Sequence, residues 1–123
     1  SEEGSIIVVE QEPSLREKYM DILKPLGYRC VGVEHGNYVY AELIKTKCKL
    51  MVIDPMLLGL DGIQIIKTIR ETFNLNFPII ALSNLTSDKV IEETYLVGAD
   101  DYLIKVDIED EDLLNSAKDL LSD

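Results

Sequence analysis

The sequence contains no tryptophan, one histidine (His35) and two cysteines (Cys30 and Cys48). A single histidine with so few soft ligands near it cannot anchor a zinc site, so His35 is expected to be a solvated loop residue. Two cysteines without a CxxC pairing do not make a disulfide scaffold and read as reduced thiols of a cytoplasmic protein. Basic residues are scarce, with 12 Lys+Arg against 23 Asp+Glu and a formal net charge of -11. That balance excludes direct nucleic-acid binding, which needs a basic face, and adhesion to an anionic membrane. No apolar run is long enough to span a bilayer, and no signal peptide is visible.

What is present is one domain's worth of chain. The 123 residues are 46% hydrophobic and 28% charged, which fits a single folded domain over 1–123 and neither disorder nor a fibre. The negative excess is not spread evenly. Residues 13–99 hold ten acids and ten bases, and the imbalance lies in the two terminal stretches.

Along the chain, short β-branched runs alternate with helical periods. Ile6–Val9 reads as a strand. Ser14 and Glu17 form a capping box ahead of Leu15, Tyr19, Ile22, Leu23 and Leu26 at helical spacing. Tyr28–Val33 alternates like a half-buried strand, and Gly36-Asn37 opens a second helix. Leu50–Ile53 is a third strand, followed by turn residues from Asp54 to Asp61. Asp61 with Gln64 makes another capping box. Phe77–Leu82, a helix from Ser87 or Asp88 to near Gly98, Tyr102–Ile104 and a helix over Glu109–Leu121 complete the pattern. Five strands and five helices with short connections predict an α/β fold, a doubly wound parallel sheet in the order 2-1-3-4-5 with helices on both faces. The apolar runs place strands 1, 3 and 4 in the centre. On the fourth helix, Ile91, Tyr95 and Gly98 are expected to face the sheet. That leaves Val90, Leu96 and Val97 as a partner or dimer surface, an alternative that stands level with partial burial.

Ligands of such sheets bind beyond the carboxyl ends of the strands, where the winding reverses. Strand 1 runs into Glu10-Gln11-Glu12, strand 3 ends at Asp54, strand 4 at Ser83 and strand 5 at Lys105. Carboxylates converging at neighbouring strand ends repel unless a cation lies between them, and hard oxygen ligands suit Mg²⁺. A lysine can pair with an aspartate and later with a phosphoryl group on it, and a serine hydroxyl can donate to that group. The combination points to phosphoryl transfer onto a carboxylate. Taken singly, each residue is as well explained as a cap, a turn former or a solvated charge. Their joint placement carries the reading. A flavin- or phosphate-binding module is disfavoured, because Glu10-Gln11-Glu12-Pro13 after strand 1 would repel an anion. A hydrolase with a second aspartate two residues after the nucleophile is also disfavoured, since that position is Met56.

The stretches Ile6–Glu12 (IIVVEQE), Val52–Gly62 (VIDPMLLGLDG), Pro78–Ser83 (PIIALS) and Gly98–Lys105 (GADDYLIK) resemble the receiver domain of two-component response regulators over essentially the whole chain. The resemblance implies a flavodoxin-like (CheY-like) three-layer fold. It also implies transfer of a phosphoryl group from a histidine kinase or phosphotransfer protein to Asp54. Glu10, Asp54, Gln11 and the carbonyl of Met56 then stand at the Mg²⁺ positions, Lys105 at the lysine that pairs with the phosphoryl group, and Ser83 with Tyr102 at the switch. An output partner or second copy would use helix 4, strand 5 and helix 5. Four positions depart from the family pattern. Gln11 replaces an acidic metal ligand and predicts weaker Mg²⁺ binding. Leu58 and Val106 stand where prolines are usual, and Asn84 where a small Ala is common. Gln11 and Val106 motivate the alternative of a pseudo-receiver that signals without phosphorylation.

Overall fold

In β-strands successive side chains point to opposite faces, so a strand apolar at every position must be covered on both sides. In the computed structural model, which describes residues 3–57, 59 and 61–122, three strands meet this condition over most of their length, with Ser5, Lys49 and Ser83 as polar exceptions near their ends. The three strands are β1 (Ser5–Val9), β3 (Cys48–Ile53) and β4 (Ile79–Ser83). With β2 (Arg29–Val33) and β5 (Asp101–Ile104) they form one parallel sheet in the order β2-β1-β3-β4-β5. The apolar strands are central and the mixed ones are edges, as the sequence predicts. Register aligns Val9 with Ile53 and Ile53 with Ala81, so the ends of β1, β3 and β4 open on one rim.

Five helices cover the two faces. α1 (Pro13–Leu23) and α5 (Asp110–Leu121) pack on one side. There Tyr19, Leu23, Leu113 and Ala117 meet Ile6, Val8, Val52, Ile80 and Leu82. On the other side lie α2 (Gly36–Lys45), α3 (Asp61–Glu71) and α4 (Asp88–Leu96). Val39, Ile65, Ile66 and Ile69 there meet Ile7, Val9, Met51, Ile53 and Ala81.

Several local expectations are corrected. α1 is capped by Glu12, not Ser14. The Glu12 carboxylate accepts from the N–H of Ser14 at 3.3 Å and of Leu15 at 3.0 Å, and from the Ser14 hydroxyl. Pro13 at the first helical position needs no N–H partner, and the helix starts two residues earlier than the Ser14 box implies. Asp61 is the first residue of α3 rather than the residue before it, and the Gln64 amide donates to Thr68 Oγ1 at 3.3 Å. His35 is more than a solvated side chain: its Nδ1 accepts the Asn37 N–H at 3.4 Å and caps α2. The α4 face is turned by one residue. Tyr95 is exposed and Thr94 is buried, because the Thr94 hydroxyl can donate to the Val90 carbonyl at 2.7 Å and so enter the core satisfied. Leu58, the site of one family departure, lies outside the described residues.

The rim opposite the strand ends is closed by Arg70. Its guanidinium donates to the Gly98 carbonyl at 2.8 and 3.1 Å, to the Leu75 carbonyl at 3.0 Å and to Asp100 at 3.1 Å. Gly98 is fitted to this contact, with φ of 125° and a space in which a Cβ would meet the Arg70 side chain at 2.5 Å. No helix among the described residues is long and apolar enough to cross a membrane.

Candidate functional site

The winding reverses between β1 and β3, and each element delivers its next polar residue to that rim. Glu10 follows β1 and is nearly fully buried, at 4% exposure. Asp54 follows β3, its N–H donating to the Val9 carbonyl at 3.2 Å. Ser83 ends β4, and Lys105 follows β5 with its N–H on the Ser83 carbonyl at 2.9 Å.

The structure brings these groups together around one ammonium. Lys105 Nζ donates to Asp54 Oδ2 at 2.7 Å and to Glu10 Oε1. The remaining carboxylate oxygens are held by the backbone. Met56 N–H donates to Asp54 Oδ1 at 2.8 Å, and Glu12 N–H to Glu10 Oε2 at 3.0 Å. Burial alone would lower the Lys105 pKa, but the hydrogen bonds and charges of Asp54 and Glu10 outweigh it and raise the value above the ordinary one.

The close approach of α3 helps to aim Asp54. A Cβ at Gly62 would collide with the Asp54 carbonyl oxygen and lie 2.6 Å from Pro55 Cα, so only glycine lets the helix start abut this turn.

Beside the carboxylates stand a hydroxyl and an aromatic ring. Ser83 is 1% exposed, and its Oγ accepts the Leu85 N–H at 3.1 Å. The Tyr102 hydroxyl donates to the Leu85 carbonyl at 2.9 Å. Burial pushes the Tyr102 pKa up, the nearby Ser83 hydroxyl works against that, and the Asp54 charge adds to it. Together these contacts fasten the segment after β4 to the sheet.

Residues 6–118 match the model of the response regulator receiver domain. The chain belongs to this family. The receiver domain is 30% identical over 102 residues to the phosphate regulon transcriptional regulatory protein PhoB of Pseudomonas aeruginosa, covering 82% of this chain and 44% of that one. It is 29% identical over 100 residues to the transcriptional regulatory protein BaeR of Escherichia coli, covering 81% and 41%. The chain thus spans less than half the length of these curated relatives. Among solved structures, the signal receiver domain of a signal transduction histidine kinase from Syntrophus aciditrophicus superposes with a TM-score of 0.84 at 28% identity, covering 97% of this chain and 90% of that one. The BeF3-activated receiver domain of DrrB superposes with a TM-score of 0.87 at 26% identity, covering 99% and 100%. This is therefore a receiver domain of two-component signal transduction.

Receiver domains typically bind Mg²⁺, and the donor set here fits that ion in kind. Two carboxylates, Glu10 and Asp54, converge on one cation position, now filled by the Lys105 ammonium, and carboxylate oxygens are hard donors of the kind that ion takes. The set is low in charge. Among the described residues, no group of three or more His, Cys, Asp or Glu is arranged to hold a metal.

The sequence pattern missed Arg16. From the first turn of α1, its Nη1 donates to the carbonyls of Glu10 at 2.9 Å and Gln11 at 3.4 Å and ties down the turn between β1 and α1. An arginine at that place gives no signal in the sequence, because its partners are backbone oxygens. The hydrogen bond from the Val106 N–H to Asn84 Oδ1 at 3.1 Å also had no signal beyond two unusual residues.

Proposed function

We propose that Asp54 accepts a phosphoryl group from a histidine kinase or phosphotransfer protein, and that Ser83 and Tyr102 convert this into a change of surface. One observation carries the reading: a lysine ammonium shared by two largely buried carboxylates at the winding reversal of a receiver fold.

An Asp54 carboxylate oxygen attacks phosphorus, the P–N bond of the donor's phosphohistidine breaks, and the leaving imidazole keeps the bond's electron pair and takes a proton from solvent. The acyl phosphate then carries up to two negative charges on its phosphoryl oxygens where Asp54 carried one. Lys105 leaves its carboxylate partners to pair with a phosphoryl oxygen, and the Ser83 hydroxyl donates to another. As the Ser83 side chain turns toward the phosphoryl group its Oγ draws away from the Leu85 N–H, which loosens the segment that Tyr102 holds by the Leu85 carbonyl. The tyrosine ring then shifts and the population moves to a second arrangement. Glu10, Asp54, the Met56 carbonyl and the Gln11 amide oxygen would hold Mg²⁺, which when bound supplies positive charge against the transferring phosphoryl group.

The surface proposed to carry the signal is α4, β5 and α5. Leu96 is 85% exposed there and Tyr95 is open to solvent. α5 lies on the opposite face of the sheet from α4, and it opens with the acidic residues Glu109 to Asp112. A second copy or an output partner with basic residues would dock on it, with binding that weakens in salt.

Incubation with acetyl phosphate and Mg²⁺ should add one phosphoryl mass to the wild type and none to Asp54→Asn. No such gain at high Mg²⁺ would refute the reading. Gln11 and the low-charge donor set favour a second reading, a pseudo-receiver that binds its partner regardless of phosphorylation. It requires that Asp54→Asn leave partner binding unchanged. Strong rescue of phosphorylation by Gln11→Asp would decide for the first reading.

A further inference from the structure

Lys105 reaches the site from a segment that has just left the sheet. Its own N–H makes the last main-chain rung, to the Ser83 carbonyl at 2.9 Å. The next rung is supplied by a side chain: Val106 N–H donates to Asn84 Oδ1 at 3.1 Å. Beyond it the chain turns at once, with the N–H groups of Asp107 and Ile108 both returning to the Ile104 carbonyl at 3.1 and 3.2 Å. Lys105 is therefore bracketed by two hydrogen bonds to consecutive residues, Ser83 and Asn84.

The anchor is itself fixed. Next to Asn84, Leu85 is held through its N–H by Ser83 Oγ and through its carbonyl by the Tyr102 hydroxyl. The Val106 side chain is 77% exposed, so the N–H, not the side chain, ties this segment down. A proline at 106 would have no N–H to give and an alanine at 84 no oxygen to receive it. Two of the unusual residues of this chain thus meet in one contact.

We propose that Asn84 is a positioning residue for Lys105, its amide oxygen holding the Val106 N–H so that the Lys105 ammonium stays between Glu10 and Asp54. Lys105 has a long, flexible stem, and without a fixed backbone its ammonium could reach several places at the rim. Asn84 contributes through that backbone. A small misplacement of a charged group at a reacting centre costs rate out of proportion to the distance.

The inference rests on the reading of Asp54 as acceptor and Lys105 as its phosphoryl partner. The test compares wild type, Asn84→Leu (similar volume, no acceptor) and Asn84→Asp (acceptor kept). Three quantities are measured: the rate of phosphorylation by acetyl phosphate, hydrogen exchange at the Val106 amide, and the ¹⁵Nζ resonance of Lys105 at fixed pH. Asn84→Leu should slow phosphorylation about fivefold, the worth of one hydrogen bond. It should also lose protection at Val106 and move the Lys105 resonance, while Asn84→Asp keeps protection and resonance near wild type. Asn84→Leu with an unchanged rate and resonance, or Asn84→Asp as altered as Asn84→Leu in protection and resonance, overturns the inference. If the wild type takes no phosphoryl group, the reading of Asp54 fails. The exchange and resonance arms then decide the placement of Lys105 by themselves.

Discussion

Replacing Lys105 by methionine keeps most of the side-chain stem and removes the ammonium from between Glu10 and Asp54. The three side chains are 10%, 6% and 16% exposed, so the change leaves two largely dehydrated carboxylates facing each other. Removing one partner of a fully buried pair costs about 3–5 kcal/mol. Each carboxylate here keeps a backbone N–H and the rim borders water, so about 2–3 kcal/mol is the expected loss. For a chain of this size that lowers the melting temperature by roughly 10 °C. A divalent cation can take the vacated place, so Mg²⁺ should stabilise Lys105→Met more than wild type, in which the ammonium competes for the same oxygens. The pH dependence has a definite sign. The folded-state pKa of Lys105 is raised, so its contribution is fully present below the unfolded value and is lost as pH rises through the folded one. The gap between the two proteins should therefore hold at neutral pH and close in strong alkali. Thermal melts with and without Mg²⁺, repeated from neutral to strongly alkaline pH, test all three points. Equal stability of the two proteins in metal-free buffer would refute the reasoning, because the carboxylates would then need no cation.

Two further outcomes follow from the packing. Gly62→Ala should lower both stability and the phosphorylation rate, since the added Cβ meets Asp54 and Pro55 backbone that cannot move aside without turning the carboxylate. Denaturant melts and acetyl phosphate kinetics check it, and a variant equal to wild type in both would sink the argument. The Cys48 thiol, pushed up to about 12 by burial, should stay unmodified by a thiol reagent at neutral pH until the protein is unfolded; fast modification of the native protein would contradict its burial.

The fold was largely legible because periodicity reports burial directly. Ile6–Val9, Leu50–Ile53 and the run ending at Leu82 are apolar at every position, which only a central strand covered on both faces accommodates. Capping was less legible. Ser14 and Glu12 are both competent caps, and the choice fell to Glu12 once Pro13 took the first helical position. The facing of α4 was misread because Tyr95 is the more apolar residue, while Thr94 is buried by a hydrogen bond to its own helix that hydropathy does not record.

At the site, the sequence by itself determined the cast: Glu10, Asp54, Ser83 and Lys105 each stand at the carboxyl end of a parallel strand, so the sheet had to bring them to one rim. The resemblance added Tyr102. Tertiary structure alone decided how they meet. A hydrogen bond between residues 95 positions apart, as between Lys105 and Glu10, depends on strand order and on the turn after β5, neither of which leaves a local pattern. The same holds for Arg16 on two backbone carbonyls and for Asn84 on the Val106 N–H, because a main-chain group is the same at every residue and only the fold says which one a side chain will find.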